Sequence, residues 1–310
     1  MKALVTGGAG FIGSNLVDAL IARGDEVVVL DDLSSGKRSN LEQALAAGAV
    51  LHEADVRDAR RMIELFEAER PDVVFHLAAQ IDVRISVMDP ALDARTNVEG
   101  TINLLAAARQ TGARRFVFAS TGGAIYGETD IVPTPETVQP APMAPYGTSK
   151  YCAEQYLGLY DRLFGLSAVA MRFGNVYGPR QDPHGEAGVI AIFCGKLVKG
   201  EQPTVYGTGE QTRDYIYVGD VVDGLIAAAD SDVSGAINLG TEEETTVLQL
   251  VEHLAQFAQG GTFEARLAEA RMGEVDRSCL AVGHAHDVIG WQAKVGIAEG
   301  LQRTYEWAAA

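Results

Sequence analysis

The sequence predicts an α/β protein built on a doubly wound parallel sheet, with a smaller lobe formed by much of the second half of the chain. Short, almost continuously apolar segments alternate with amphipathic segments up to about residue 175, as in a parallel sheet covered by helices on both faces. The 310 residues suffice for one large core with an added lobe. After that point Gly and Pro interrupt shorter, mixed elements, for example in NVYGPRQDPHGEAG.

The strands and helices of the predicted sheet follow each other in regular order. The apolar positions of each strand are adjacent, which indicates burial on both faces. Strands are predicted at 2–6, 26–30, 49–55, 72–79, 115–120, 167–173 and, returning from the second half, 236–240. Amphipathic helices are predicted at 11–23, 58–69, 91–112 and 147–164.

The predicted organisation has two discontinuous domains. Residues 1–175 plus 234–240 form the larger one, which carries the sheet. Residues 176–233 plus 241–310 form a smaller α/β lobe. We expect this lobe to cover the carboxyl ends of the strands, because open α/β sheets bind their ligands there.

Composition and charge exclude several classes of protein. The net charge is -17, with a pI near 4.7, and no cluster of Lys and Arg offers a nucleic-acid surface. Cys152, Cys194 and Cys279 lie far apart and predict free thiols, with no disulfide and no zinc site. The start MKALVTGGAG leaves no room for a signal peptide, and no apolar run reaches roughly 18 residues. We therefore expect a cytoplasmic protein with no metal, nucleic-acid or membrane partner.

A glycine-rich turn follows the first strand and predicts a dinucleotide site. The segment TGGAGFIG holds Gly7, Gly10 and Gly13. These glycines let the backbone approach a pyrophosphate at the N-terminus of the following helix. Asp31 ends the next strand, where it can accept ribose hydroxyls and would repel a 2′-phosphate. The pattern favours NAD, although Lys37 and Arg38 nearby leave NADP open.

The segment YGTSK places Tyr146 and Lys150 four residues apart on one helix face. Alone, the pair is typical of ordinary surface packing. Beside a dinucleotide, the ammonium and a positive nicotinamide would lower the phenol pKa from its usual value near 10. A drop of roughly three units needs about 4 kcal/mol of differential stabilisation. Ser120 and Thr121, at the end of a neighbouring strand, can supply a hydroxyl to the reacting alcohol.

Five motifs together resemble the extended short-chain dehydrogenase/reductase family. They are TGGAGFIG, HLAAQ, ASTGGAIYG, YGTSK and RFGNVYGPRQ, and the likeness covers essentially the whole chain. Their order and spacing are similar to those of UDP-glucose 4-epimerases and related nucleotide-sugar epimerases. The resemblance implies a Rossmann-type domain with tightly bound NAD, a nucleotide-sugar lobe and a homodimer.

The resemblance also implies residue roles. Tyr146 would be the catalytic base, Lys150 its partner, and Thr121, with Ser120 beside it, the catalytic hydroxyl. Counting back from Tyr126 points to Gly122 instead of Thr121, but the depth of the strand favours Thr121. The implied cofactor contacts are Gly7, Gly10, Phe11, Ile12, Gly13, Asp31, Asp32, Ser35, Gly36, Asp55, Val56, Leu77, Ala78, Ala79, Gln80, Asn97, Tyr146, Lys150 and Phe173.

The implied substrate contacts lie mostly in the second lobe. Arg213 and Arg271 would bind the diphosphate, Glu274 the ribose, and the small Ser278 would leave room for an N-acetyl group. Met272 stands where the family usually has Pro. The full set is Thr121, Asn175, Gly188, Val189, Tyr206, Arg213, Arg271, Glu274 and Ser278.

Among related activities, the sequence favours C4 epimerisation through a transient 4-keto sugar. Dehydratases of the family carry Asp-Glu after the catalytic Thr and decarboxylases a Glu nearby, whereas this chain has Gly122 and Gly123. UDP-glucose and UDP-galactose are the expected substrates, with a dTDP-sugar or a UDP-N-acetylhexosamine as alternatives. A nucleotide-sugar dehydratase or reductase, or a non-catalytic dinucleotide-binding protein, stays open as a further alternative.

Overall fold

A computed structural model of the chain describes residues 1–183, 188–258, 262–269 and 275–310. Its strands are β1 (Lys2–Thr6), β2 (Glu26–Asp31), β3 (Val50–Glu53), β4 (Val73–His76), β5 (Arg115–Thr121), β6 (Ser167–Phe173), β7 (Asn175–Tyr177), β8 (Thr204–Tyr206), β9 (Thr212–Arg213), β10 (Tyr215–Tyr217), β11 (Gly235–Leu239), β12 (Thr245–Thr246), β13 (Arg266–Ala268) and β14 (Arg277–Ser278).

The helices alternate with the strands through the first half. They are α1 (Phe11–Arg23), α2 (Glu42–Ala46), α3 (Ala59–Glu69), α4 (Val83–Met88), α5 (Pro90–Ala94), α6 (Gly100–Thr111), α7 (Gly122–Ile125), α8 (Pro145–Phe164), α9 (Val189–Val198), α10 (Val218–Ala229), α11 (Val247–Ala255), α12 (Gly283–Ile289) and α13 (Ile297–Ala309). A 3₁₀ turn covers Arg38–Leu41, and a π-helical turn, Arg95–Glu99, joins α5 to α6.

Seven parallel strands form the main sheet in the order β11-β6-β5-β4-β1-β2-β3. The predicted doubly wound sheet is thereby confirmed, including the strand that returns from the second half of the chain. Strand order reverses beside β1, so the carboxyl ends of β1 and β4 diverge into the crevice where such sheets bind ligands. The predicted strand at 72–79 was too long. The chain leaves the sheet after His76, and Ala78 N–H donates to the Thr6 hydroxyl.

Alternating side chains of the central strands fill a core on each face of the sheet. Ala3, Val5 and Phe75 pack with residues of α1 and α10. Leu4, Val74 and other side chains of the opposite face pack with α3, α6 and α8. The apolar strands predicted from the sequence are therefore buried on both sides, as a parallel sheet requires.

Local signals in the sequence fix the ends of the helices. Pro145 opens α8 at a position where no backbone N–H is needed, and Gly165 ends it in the left-handed conformation. The Asp58 carboxylate accepts the N–H of Arg61 at the start of α3. Thr246 and Gln249 form a capping box at the start of α11.

A third core, with Phe193, Leu250 and Leu301 at its centre, belongs to the smaller lobe and joins α9, α11 and α13. Helix α10 and Trp291 pack in the core of the main sheet. The division of the chain into residues 1–175 plus 234–240 and residues 176–233 plus 241–310 stays a prediction. Within the described ranges, no helix is long and apolar enough to cross a bilayer.

Candidate active site

Helix α8 places Tyr146 and Lys150 at the carboxyl edge of the main sheet. The Lys150 ammonium is buried and donates to the Ala119 carbonyl oxygen at 2.8 Å, and it lies 4.6 Å from the centre of the Phe118 ring. The Tyr146 phenol hydrogen-bonds with the side chain of Thr121. The structure thus brings the three predicted catalytic side chains Tyr146, Lys150 and Thr121 to one place.

In the chain without cofactor, the pKa of Tyr146 lies above the ordinary value of a phenol. Burial raises it to about 12, the nearby Asp93 carboxylate adds to the rise, and the hydrogen bond with Thr121 opposes it. The predicted lowering of this pKa requires a positive nicotinamide as well as Lys150, and it stays a prediction for the NAD-bound protein. Desolvation disfavours the phenolate, because the charged form loses the hydration that it has in water.

Lys150 responds to the same burial in the opposite direction. Desolvation lowers its pKa to about 8, while the carboxylates of Asp93 and Glu154 raise it. The amine therefore carries its charge at neutral pH and loses it in mildly alkaline solution.

Ser120 does not join the catalytic group. Its hydroxyl donates to Glu154 at 2.6 Å, and Glu154 forms a buried ion pair with Arg172 at 2.6 Å. Because successive side chains of a strand point to opposite faces, Ser120 and Thr121 cannot both reach Tyr146. The prediction that both hydroxyls belong to the catalytic group is therefore wrong for Ser120, and Thr121 is the candidate.

Two buried residues of the site were missed by the sequence analysis, Asp93 and His76. The Asn97 side chain donates to Asp93 at 3.0 Å and pairs twice with the backbone of Gln80, at 2.8 and 2.9 Å. Asn97 therefore braces the loop that follows β4, on the side predicted for the cofactor. The spacing of Asp93 and Asn97, four residues apart, was the available signal, since such a pair shares one helix face.

His76 lies at the end of β4 in a chain of buried hydrogen bonds. Its Nδ1 is 2.8 Å from the Thr6 hydroxyl and its Nε2 is 3.0 Å from the Thr101 hydroxyl. Thr101 donates to the Asn97 carbonyl oxygen. Burial and the charge of Lys150 hold the His76 pKa well below its usual value, so the ring is a neutral connector. The sequence of β4 is otherwise apolar, so it gave no indication that His76 connects these hydrogen bonds.

The glycine turn fits a dinucleotide. Gly7 has φ +67°, and a Cβ there would lie 2.7 Å from the Ala78 amide nitrogen. A Cβ on Gly13 would collide with the Gly7 carbonyl oxygen. Gly10 precedes α1 without any side-chain cap, so the amides of Phe11 and Ile12 begin the helix without a side-chain acceptor. Such a close, uncapped turn suits the oxygens of a pyrophosphate.

Asp31 is held in place at the end of β2. Its carboxylate accepts the N–H groups of Ala9 and Leu33, both at 2.9 Å, and it is 6% exposed. Burial raises its pKa, which the two backbone donors oppose. A Cβ on Gly36 would approach the carboxylate to 2.7 Å, so this glycine keeps the loop close. The adjacent Asp32 accepts from Ser34, and Ser35 follows in the same loop.

The predicted adenine end lies beyond β3. Asp55 forms an ion pair with Arg57 at 2.5 Å, which lowers the Asp55 pKa. Val56 is buried against Gly100. On the opposite side of the glycine turn, the predicted contacts Leu77, Ala78, Ala79 and Gln80 form the loop after β4.

Two predicted contacts stand next to Thr121. Phe173 is the register partner of Thr121 on β6, so both side chains lie on the same face of the sheet. Asn175 begins β7, and its side-chain oxygen would lie 3.5 Å from a Cβ on Gly123. The space between these groups therefore borders directly on Gly123.

The remaining substrate contacts are spread over short elements of the smaller lobe. Arg213 on β9 and Ser278 on β14 are register partners and share one face of a three-stranded sheet. Tyr206 ends β8 and is 37% exposed, while Gly188 and Val189 begin α9. Arg271 and Glu274 lie outside the described residues. Within those residues, no group of His, Cys, Asp and Glu has the arrangement of a metal site.

The topology of the sheet, the glycine turn and the Tyr–Lys pair together are typical of the extended short-chain dehydrogenases/reductases. The family model described as "NAD dependent epimerase/dehydratase family" matches residues 3–240. The chain belongs to this family.

Individual relatives agree with the assignment. The chain is 45% identical over 309 residues to a UDP-glucose 4-epimerase of Mycolicibacterium smegmatis, covering 99% of this chain and 98% of that protein. The structure of a UDP-glucose 4-epimerase from Thermotoga maritima with UDP-glucose matches with TM-score 0.94 at 46% identity, covering 99% and 98%.

The NAD complex of a Thermus thermophilus UDP-glucose 4-epimerase matches with TM-score 0.92 at 45% identity, covering 99% of each chain. These similarities confirm the predicted family, the NAD cofactor and the class of activity, epimerisation.

Proposed function

We propose that the protein is an NAD-dependent isomerase that interconverts UDP-glucose and UDP-galactose at C4. The observation that carries the proposal is the cluster of Tyr146, Lys150 and Thr121 at the carboxyl edge of the sheet. Gly122 and Gly123 follow Thr121 where dehydratases need a carboxylate pair. Return of hydride to the other face of a 4-keto sugar needs no further acid or base.

In this proposal the side chains of the site move one proton and hold the sugar. NAD, when bound, supplies the hydride acceptor for the sugar and later the donor. Tyr146 takes the proton of the C4 hydroxyl and returns it, while Thr121 hydrogen-bonds to the same oxygen. Positive charge beside Tyr146 must offset a pKa of about 12 in the free chain. Lys150, held by the Ala119 carbonyl, is the cation that the chain contributes.

Binding energy comes from groups far from the reacting carbon. We assign Arg213 and Arg271 to the diphosphate, because acidic surroundings require local cations for an anionic ligand. Asn175, Tyr206, Gly188 and Val189 would complete the nucleotide-sugar pocket, and Glu274 would accept from the ribose. A firmly held nucleotide leaves the keto sugar free to turn.

UDP-N-acetylhexosamines are a second candidate substrate, favoured by Ser278. Its short side chain shares a sheet face with Arg213, and a small group there leaves room for an N-acetyl substituent. A dTDP-sugar differs from the UDP-sugar by one methyl group on the base. We rank it behind both UDP substrates.

We also propose that the enzyme is a cytoplasmic homodimer. An apolar groove of about 430 Å³ runs between α8 and the helical stretch from α5 to α6, and Val98, Ile102 and Cys152 lie in it. Leu163 and Phe164 leave 62% and 45% of their surface exposed at the far end of α8. Pairing of these helices across a two-fold axis would cover both. The three unpaired cysteines suit a reducing compartment.

The experiment that tests the activity uses protein in which bound NAD has been confirmed by mass spectrometry. UDP-galactose is added without further cofactor, and we expect UDP-glucose to form with no net change in NADH absorbance. A 4-keto-6-deoxy product or net NADH consumption would identify a dehydratase or a reductase instead. Activity that survives Tyr146→Phe unchanged would contradict the proposed role of the phenol.

A further inference from the structure

Asp93 is a buried carboxylate to which the proposed mechanism gives no role. It is 0% exposed on α5. Its Oδ1 accepts from the side-chain amides of Gln80 and Asn97, both at 3.0 Å, and its Oδ2 accepts from the Ser149 hydroxyl at 2.5 Å. Three neutral groups therefore satisfy a charge that no Lys or Arg of the described residues contacts by a hydrogen bond. Burial of such an anion costs free energy. A purely structural link between these segments would not require a charged group.

The three donors come from different parts of the site. Gln80 belongs to the loop after β4, Asn97 to the π-helical turn, and Ser149 to the turn of α8 that carries Lys150. The carboxylate thus fastens the catalytic end of α8 to the loop predicted to contact the cofactor.

We propose that Asp93 is a positioning residue that sets the electrostatic balance of the catalytic pair, because it holds a buried negative charge without a cationic partner among the described residues, next to the turn of α8 that carries Lys150. The inference rests on the proposed function and concerns what controls the protonation of its catalytic base, Tyr146. In the chain alone, desolvation and, after it, the Asp93 charge raise the Tyr146 pKa, so a bound cation must offset both. The oxidised nicotinamide ring is a cation of the required kind, whereas the reduced ring is neutral.

The charged groups around Tyr146 support this assignment. Lys150 and Glu154 lie on α8 itself, and Asp93 faces the pair from α5. Glu154 is neutralised by its ion pair with Arg172 on β6, and it sits one turn beyond Lys150. Asp93 is therefore the one described carboxylate that acts on the pair without a cationic partner of its own.

The remaining titratable neighbour is His76 on β4. Burial and the Lys150 charge lower its pKa well below the usual value, so it adds no charge near neutral pH. The negative charge of Asp93 raises the pKa of Tyr146 and also the pKa of Lys150.

The substitution Asp93→Asn removes the charge and keeps the shape. The amide oxygen can still accept from Gln80 and Asn97, and the amide nitrogen can donate to the Ser149 hydroxyl, which accepts as well as donates. Ser149→Ala is the matched control, because it removes one hydrogen bond from Asp93 and leaves the charge. Bound NAD and the thermal melting curve show that each variant is folded and loaded.

We expect the pH profile of kcat to move as a whole in Asp93→Asn. Activity rises as Tyr146 loses its proton and falls as Lys150 loses its own. Without the anion both pKa values drop, so both limbs shift to lower pH by roughly one to two units. Ser149→Ala should keep both limbs of the wild-type profile. A merely structural role of Asp93 would lower the height of the profile without moving its limbs.

A second readout does not depend on turnover. The near-ultraviolet absorbance of the phenolate is titrated in NAD-loaded protein, and the spectrum of Tyr146→Phe in the same background is subtracted. The Tyr146 transition should occur at lower pH in Asp93→Asn than in the otherwise unchanged chain. Coincident transitions in the two proteins, or an equal shift in Ser149→Ala, would overturn the inference. If the wild-type protein lacks epimerase activity, the proposed function fails, and the phenolate titration still decides the role of Asp93.

Discussion

The two halves of the candidate site are built differently. At the edge of the main sheet, the polar groups are buried and tied to long strands and a 20-residue helix, as in Lys150, Asp31 and Asn97. In the smaller lobe, Arg213, Ser278 and Tyr206 stand on strands of two or three residues and are partly exposed. The difference suggests that the chemistry is fixed by a rigid frame, whereas recognition of the nucleotide sugar rests on elements that can be changed at little cost to the fold.

Among the substitutions considered, Tyr146→Phe should cause the largest loss of activity, because it changes the part of the site at the edge of the main sheet. Loss of the general base is expected to lower kcat by about 10²–10⁴-fold, because proton transfer contributes roughly that much. NAD content and melting temperature should stay near those of the wild type, since only one oxygen is removed. Steady-state kinetics with UDP-galactose give the measurement, and a changed KM with full kcat would argue against the assignment.

Lys150→Met is expected to lose activity and gain stability. The Lys150 pKa is about 8 in the folded protein against 10.5 for an ordinary lysine, so the buried charge opposes folding. Replacement should raise the free energy of unfolding near neutral pH by about 2 kcal/mol, after subtraction of one hydrogen bond.

The sign of the pH dependence follows from linkage. Because the folded pKa is the lower one, the cost to the wild type is full below pH 8 and fades between pH 8 and 10.5. Urea unfolding of both proteins across this range should show the gap closing as pH rises. A gap that widens, or a less stable variant, would contradict the buried-charge argument.

Arg213→Ala tests the smaller lobe. We expect KM for UDP-galactose to rise roughly 10–100-fold with a smaller change in kcat, because a charge-assisted contact to the diphosphate is lost. Arg213→Lys, which keeps the charge but not the planar fork, should recover part of the affinity. If kcat falls and KM stays constant, Arg213 acts on the chemistry and the contrast between the two halves is wrong.

Ser278→Tyr should have the smallest effect, confined to the choice of substrate. Activity on UDP-N-acetylgalactosamine is expected to drop about tenfold, while activity on UDP-galactose changes by less than about twofold. The ratio of kcat/KM values for the two sugars is the measurement. Equal losses on both sugars would place Ser278 outside the sugar pocket.

Much of the fold and of the catalytic group could be predicted from the sequence, because the signals are local. Apolar strands, a glycine turn and an i, i+4 spacing need only neighbouring residues to be recognised. The register of Ser120 and Thr121 was also available from strand alternation. The alternation places the Ser120 hydroxyl on the face of Glu154 and the Thr121 hydroxyl on the face of Tyr146.

What could not be predicted depends on contacts between distant segments. Asp93 meets Ser149 across 56 residues of sequence, and no local pattern gives that pairing. The rise of the Tyr146 pKa likewise depends on desolvation in the folded chain and on the charge of Asp93, which is distant in sequence. The packing of helix α10 against the main sheet could not be predicted either, because its apolar face suits either core until the tertiary packing is known.

Gly122 links the catalytic strand to the C-terminal part of the chain. A Cβ at this position would lie 2.5 Å from Cδ1 of Leu280, and Leu280 follows Ser278 by two residues. An engineer who installs an acid there to redirect the reaction must therefore shorten Leu280 in the same step. Either change by itself would be penalised, by a clash or by a void. The effect of a substitution at Gly122 therefore depends on the residue at position 280, and a change of chemistry here requires both substitutions together.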